Sequence, residues 1–413
     1  MSAKIGPLSI KILNFEIQNK TLFFFRMVNR RLLRVKAFQQ LYAYYTQERA
    51  QYQLAFDGLA TIFQPDLSLM VSKEDQTPRL EGLRQLAEIQ LKEHFQEITS
   101  EETIPVEAQE AAQSVFQTYH ANVKQIAEKL KKDMVLEVES INKQYLKILF
   151  YLQQLPLIAL WDENRRLLEN STKTSLLAKN KVLYILSKWG DLQRAFDKNR
   201  IGWSEDEENL IKKLFIENIL TDETFLTYLP TSGKKFEDDL EFVKHVLKNF
   251  LLKHESMTEY FEEKDLNWSL NKDVVKSMAN KTFKIEALED MSLQPLAIQW
   301  EDDKLFFEEL FDYSVTEDKQ LSAWVGDQTK NWESDRLAVS DFIILKMALA
   351  EMVKFASIPV KVSINEYIEL AKNYSTPKSG QFINGILDVV SSRLVHEKVI
   401  NKSGRGLIDI ANK

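Results

Sequence analysis

The spacing of the apolar residues is what most constrains this chain. They recur every three or four positions, and strand-like alternation is nowhere sustained. Near the start, Leu33, Ala37, Leu41 and Tyr44 fall at intervals of 4, 4 and 3. Near the end, Ala338, Phe342, Leu345, Leu349 and Met352 fall at intervals of 4, 3, 4 and 3. Such spacing gathers side chains on one face of an α-helix, which is stable only when that face is buried. Only 11 glycines and 9 prolines punctuate 413 residues, so long helices and few tight turns are expected. The fold class read from this pattern is all-α.

The rest of the composition narrows function by exclusion. Hydrophobic residues make up 44% and charged residues 28% of the chain, enough to bury a core in two or three domains or one helical array. There is no cysteine, which removes disulfides, thiolate metal sites and cysteine nucleophiles and fits a reducing cytoplasm. The five histidines are scattered without an i,i+4 pair, so no metal or other cofactor is expected. No apolar stretch approaches the length of a membrane span. The first 26 residues hold only the short run Leu22–Phe25 without a small-residue cleavage site, so they are not read as a signal peptide. Two accounts of them stand: an extension upstream of a true start at Met27, or a loosely packed N-terminal arm.

Charge is distributed unevenly. The whole chain carries -7, yet between Met27 and Arg49 five cations (Arg30, Arg31, Arg34, Lys36 and Arg49) face the single acid Glu48. A focused cationic cluster on an anionic protein suggests a defined polyanion site. Asn29 is a good capping residue for this helix, and Arg30 and Arg34, four apart, are expected to project together. Further on, helical stretches precede and follow a break at Thr103–Pro105, and the acidic run 101–110 reads as a solvated face or linker. Trp203, Trp268 and Trp332 recur at separations of 65 and 64 residues, each after a polar turn and before a helix. Ser204 with Glu207 forms a capping-box pattern. A repeated binding surface is one reading of these tryptophans; packing between neighbouring helices is preferred. Toward the end, a helix is expected over Asp335–Phe355. Ser363 and Glu366 suggest a second capping box, and Thr376–Pro377 a cap-plus-proline start for the last helix. Gly385 lies inside that helix, where close approach of another helix or a partner would explain it. The tail from Asn401 reads as mobile.

The segment SIPVKVSINEYIELAKNYSTPKSGQFINGILD closely resembles the most diagnostic block of the NusB family of RNA-binding transcription factors. Pro359, Lys361, Asn365, Glu366, Leu370, Ala371, Lys372, Phe382, Asn384, Gly385, Leu387 and Asp388 stand in matching places. The stretch NRRLLRVKAFQQLY is similar to the family's arginine-rich first helix with its closing QxLY. The long middle looks like the enlarged form of the family found in Bacteroidetes, which would extend the resemblance over most of 27–407. The resemblance implies a helical bundle of two subdomains, here enlarged by inserted helical hairpins. It implies boxA-type single-stranded RNA and the ribosomal protein NusE as partners within a transcription elongation complex, with antitermination during ribosomal RNA synthesis as the role and no catalysis. A homodimer is an alternative assembly. By position it assigns RNA contact to Arg30, Arg31, Arg34, Lys36 and Tyr42. It also assigns Glu351, although Ala350 stands where the family carries tyrosine. Lys378 stands in a loop where the family commonly has an acid. Asn365 and Asn384 are read instead as capping or buried polar residues.

The expected organisation is an N-terminal extension, mis-started or disordered (1–26); an N-terminal helical subdomain with the basic helix and an insertion (27–180); helical hairpin repeats (181–330); NusB-like C-terminal helices (331–400); and a flexible tail (401–413). Arginine offers a planar fork to phosphate, and tyrosine offers a ring for base stacking. About four neutralised phosphates would give a salt slope near -3. Two rival functions remain. One is a helical protein–protein adaptor without RNA binding, which burial of the arginines in salt bridges would favour. The other is a ribosomal RNA methyltransferase, disfavoured because the chain has neither a GxGxxG motif nor a cysteine.

Overall fold

The structure, a computed structural model, describes residues 28–66, 68, 72–98, 104–166, 173–329 and 338–409. The extension 1–26, Trp332 and the start of the helix expected from Asp335 lie outside these residues. The described residues form helices joined by turns, with no strand among them.

Two compact units are present, one comprising residues 31–135 and 304–413 and the other 136–303 with 28–30. These bounds cut across the segments expected from the sequence, because residues 304–329 group with 31–135 and with the C-terminal helices.

In the first unit, α1 (Arg30–Ile62) directly follows Asn29. Its predicted apolar face is buried, with Leu33, Ala37 and Leu41 fully enclosed and Tyr44 nearly so. Helices α2 (Lys73–Gln96) and α3 (Val106–Arg165) come next, and the unit boundary falls within α3. Ser72 caps α2 by accepting from the Asp75 amide. Residues 106–110, part of the run read as a solvated face or linker, form the first turn of α3, with Val106, Glu107, Gln109 and Glu110 exposed. A small core of Ala55, Leu59, Ala87, Leu91, Ile104, Ala108 and Ala112 holds these three helices together.

The C-terminal helices are α11 (Trp300–Thr316), α12 (Asp318–Thr329), α13 (Val339–Lys354), α14 (Val360–Tyr374) and α15 (Ser379–His396). Helices α13, α14 and α15 pack on one another, and α12 packs on α13 and α15. Pro359 occupies the N-cap of α14, so Ser363 lies inside the helix and opens no capping box. Its small hydroxyl faces a buried carboxylate instead. Helix α15 starts later than Thr376–Pro377 suggested: Ser379 Oγ donates to the Asp341 carboxylate at 2.7 Å and accepts from the Thr376 amide at 3.2 Å. Gly385 is exposed, with nothing from the described residues within 4 Å of a Cβ built there, so no described neighbouring helix explains it. Asn365 and Asn384 are exposed within helices rather than buried or capping. The tail forms a 3₁₀ helix over Gly404–Asp409, with Ser403 N–H donating to Ala356 O at 3.0 Å and Lys402 Nζ to Phe355 O at 2.9 Å. It therefore docks on the carbonyl end of α13.

In the second unit, the later part of α3 buries Ile141, Tyr145, Ile148, Leu149 and Leu152 against short helices α4 (Lys181–Lys188) to α10 (Trp268–Thr282). The Ser204–Glu207 capping box is formed. The Glu207 carboxylate also accepts from Lys147 Nζ at 2.8 Å and from Tyr260. Trp203 stacks on Tyr151 at 5.6 Å, and buried Trp268 stacks on Phe261 at 4.3 Å. Both tryptophans are packing residues.

Candidate nucleic-acid interface

The basic helix α1 lies against α13 and α14 because its arginines find carboxylates there. Arg34 reaches Glu351 on α13 with a two-pronged contact, Nε to Oε2 at 2.7 Å and Nη2 to Oε1 at 2.8 Å. The Arg34 side chain is 6% exposed and that of Glu351 0%. Two further donors complete the carboxylate's shell: Ser363 Oγ at 2.7 Å and Tyr367 Oη at 3.0 Å, both from α14. Burial works against the charge on Arg34, but the adjacent Glu351 outweighs it and holds the guanidinium's pKa above the ordinary arginine value. Burial likewise drives the Tyr367 hydroxyl well above its usual pKa. A buried ion pair tolerates desolvation only when its remaining hydrogen-bonding capacity is filled, and four donor contacts fill that of Glu351.

One turn earlier, Arg31 repeats the geometry at the surface. Its Nε and Nη2 lie 3.1 and 3.2 Å from the two oxygens of Glu366 on α14. Donation of these hydrogen bonds to the Glu366 carboxylate raises the Arg31 pKa. Glu366 also lies 3.7 Å from Arg34 Nη1. Arg31 remains 56% exposed and Glu366 22%. In the other unit, half-exposed Arg30 sits 3.4 Å from Asp303.

Further along α1, the Phe38 ring packs on Tyr374 at the end of α14, with centroids 5.4 Å apart, and Tyr42 lies beside Phe38 at 6.3 Å. Tyr42 is 44% exposed. Arg31 meets Glu366 and Phe38 meets Tyr374, so α1 and α14 advance side by side in the same direction. Lys378, exposed at the N-cap of α15, follows Tyr374 by four residues. Between Arg31 and Tyr42 the helix rises about 16 Å, or three turns.

The structure thus separates the sequence-assigned residues. Arg31, Tyr42 and Lys378 offer surface to a ligand, as Arg30 does in its own unit. Arg34, Lys36 and Glu351 do not: all three are buried. Burial keeps all three from a ligand at the surface, and the Arg34 guanidinium is already closed on the Glu351 carboxylate inside the fold. Arg30 and Arg34, expected to project together, end on different acids. The partners Glu366, Ser363 and Tyr367 were not identified as such from the sequence. Nothing in a linear pattern marks them, since Arg34 and Glu351 are 317 residues apart. Among the described residues, no group of three or more His, Asp or Glu is placed to hold a metal. No described helix is long and apolar enough to cross a membrane.

These features define a class: an all-helical protein in which a basic helix is tied by arginine–carboxylate pairs to C-terminal helices. Within that class, residues 267–392 are similar to the NusB family, and this chain is longer than is typical of that family. The matched segment is shorter than 27–407 and leaves α1 outside it. A transcription antitermination protein NusB of Chloroherpeton thalassium is 43% identical over 95 residues, covering 23% of this chain and 45% of the relative. Its counterpart in Salinibacter ruber is 42% identical over 103 residues, covering 25% and 64%. That of Natranaerobius thermophilus is 43% identical over 76 residues, covering 18% and 55%. The chain therefore spans less than two thirds of each of these relatives. No solved structure matches.

Proposed function

We propose that the protein is a non-catalytic, cytoplasmic transcription antitermination factor that binds boxA-type single-stranded RNA together with the ribosomal protein NusE and supports ribosomal RNA transcription within the elongation complex. The observation that carries this reading is the exposed edge of α1, where Arg31 and Tyr42 stand beside α14 and lead to Lys378. Single-stranded RNA is held by phosphate neutralisation and base stacking, and this edge offers a guanidinium, an ammonium and a phenol ring. Arg34 and Glu351 act beneath the surface by tying α1 to α13, and Lys36 is buried on the same helix as Arg34. With two accessible cations on this edge, Arg31 and Lys378, rather than four, log affinity should fall with log salt at a slope of roughly -1.4, taking roughly -0.7 per phosphate.

A second reading, a helical protein–protein adaptor without RNA binding, is favoured by the burial of Arg34 in an ion pair. Fluorescence anisotropy of a labelled boxA-like RNA against a scrambled control, with and without the cognate NusE protein, separates the two. Selective binding that tightens with NusE supports the antitermination factor. NusE binding without RNA selectivity supports the adaptor, and a homodimer occluding the same face would appear as concentration-dependent loss of binding.

A further inference from the structure

We propose that Glu366 is a built-in competitor for phosphate at Arg31, so that RNA must displace this carboxylate before the arginine can engage it. The inference rests on the RNA-binding reading of the α1 edge and adds how that edge is regulated.

The geometry is that of a bound oxyanion. The two oxygens of Glu366 lie 3.1 and 3.2 Å from Nε and Nη2 of Arg31, the same edge of the guanidinium that a phosphate would take in a two-pronged contact. Arg31 cannot offer that edge to both. Glu366 also approaches Arg34 at 3.7 Å, so two arginines on α1 are answered by two carboxylates, Glu351 within the fold and Glu366 at its surface. Two of the five cations of the cluster evident in the sequence are thereby answered in the folded protein.

The two pairs differ in how readily they open. Arg34–Glu351 is enclosed, and its carboxylate holds two hydroxyl donors besides the arginine. Arg31–Glu366 is solvent-accessible on both sides, and exposed ion pairs are weak enough to exchange partners. Glu369 adds to the negative field at Arg31, itself held by Lys372 at 2.6 Å. An anion arriving alone gains little by replacing one carboxylate with another. An RNA already held at Tyr42 and Lys378 presents its phosphate at high local concentration and can displace it. Glu366 thus selects for ligands that engage several points of the edge together and rejects isolated polyanion contacts.

The test uses the full chain with wild-type, E366Q, R31A and R31A/E366Q proteins. Anisotropy with the boxA-like RNA is read over a range of salt, and thermal melts confirm folding. E366Q should tighten RNA binding about two- to fivefold, the factor expected for removing a competing surface ion pair. The salt slope should stay close to that of wild type, because the same phosphate contact forms in both complexes. The double variant should bind no better than R31A. If E366Q melts early, E366A measured below its melting range serves in its place. RNA binding by wild type that is unchanged or weakened in E366Q would overturn the inference and leave the RNA reading standing, since Glu366 would then be a scaffold orienting Arg31. No RNA binding by any variant would overturn both.

Discussion

Replacing Arg34 by methionine should destabilise the protein as a buried-charge lesion would, not as a surface change. In wild type the Glu351 carboxylate is fully enclosed and accepts from Arg34 twice, from Ser363 and from Tyr367. In R34M it keeps two neutral donors but loses its counter-ion, and breaking one side of a buried pair costs about 3–5 kcal/mol. E351Q should cost a similar amount, because Arg34 is then left with only Glu366 at 3.7 Å. The double variant R34M/E351Q removes both charges and retains a carboxamide oxygen for one hydroxyl. The remaining unsatisfied hydroxyl predicts a loss of about 1–3 kcal/mol. The two single losses should therefore fail to add, with a coupling of at least about 3 kcal/mol, the upper range for residues in direct contact. Urea unfolding of the full chain, followed by far-ultraviolet circular dichroism, measures all four corners of this cycle. For a body of about 200 residues, R34M should also lower Tm by on the order of 10 °C. Additive single effects, or an R34M protein within about 0.5 kcal/mol of wild type as at an ordinary surface site, would refute the assignment of Arg34 as structural support and return it to the binding surface.

Other perturbations probe different links. Y42A should weaken RNA binding by about 1–3 kcal/mol, the value of one stacked base, without changing Tm; equal affinity in an anisotropy titration would remove Tyr42 from the interface. In G406A the new Cβ would overlap the Ala356 carbonyl oxygen, so the tail should detach from α13, seen as loss of hydrogen-exchange protection at the Ser403 amide. Burial lowers the Lys402 pKa to about 8. The unfolded chain then holds this proton to higher pH than the folded chain, so stability should rise with pH from about 8 toward the ordinary lysine value of 10.5. A lysine ¹³Cε titration should show one midpoint near 8, absent in K402M, and K402M should lose that part of the stability slope.

How far the sequence led depends on the range over which each signal acts. Helix periodicity is local, so the buried face Leu33–Ala37–Leu41–Tyr44 was readable from spacing alone, as was the capping box of Ser204 and Glu207. The charge cluster was equally visible, but a count of charges says nothing of their partners. Arg34 and Lys36 sit beside Arg31 in sequence yet are buried while Arg31 is exposed, because a helix turns them toward different neighbours. Ser363 and Glu366 satisfy the spacing of a capping box; tertiary contacts used them otherwise, one as a donor to Glu351 and the other as a partner for Arg31. Gly385 invited a reading of close helix packing, and open space surrounds it. The tail looked mobile because its composition is polar and glycine-rich, whereas the carbonyl end of α13 supplies acceptors that no local pattern records.

The 317-residue separation of Arg34 and Glu351 also sets a schedule for synthesis. At about 5–20 residues per second, the ribosome makes the arginine roughly 15–60 s before its partner carboxylate. Until then α1 exposes Leu33, Ala37 and Leu41 with nothing from the C-terminal helices to cover them, while α1, α2 and the start of α3 can already close their own small core. The nascent chain is thus exposed to aggregation at its basic helix for most of translation, and a chaperone acting on it would find its target there rather than in the later helices.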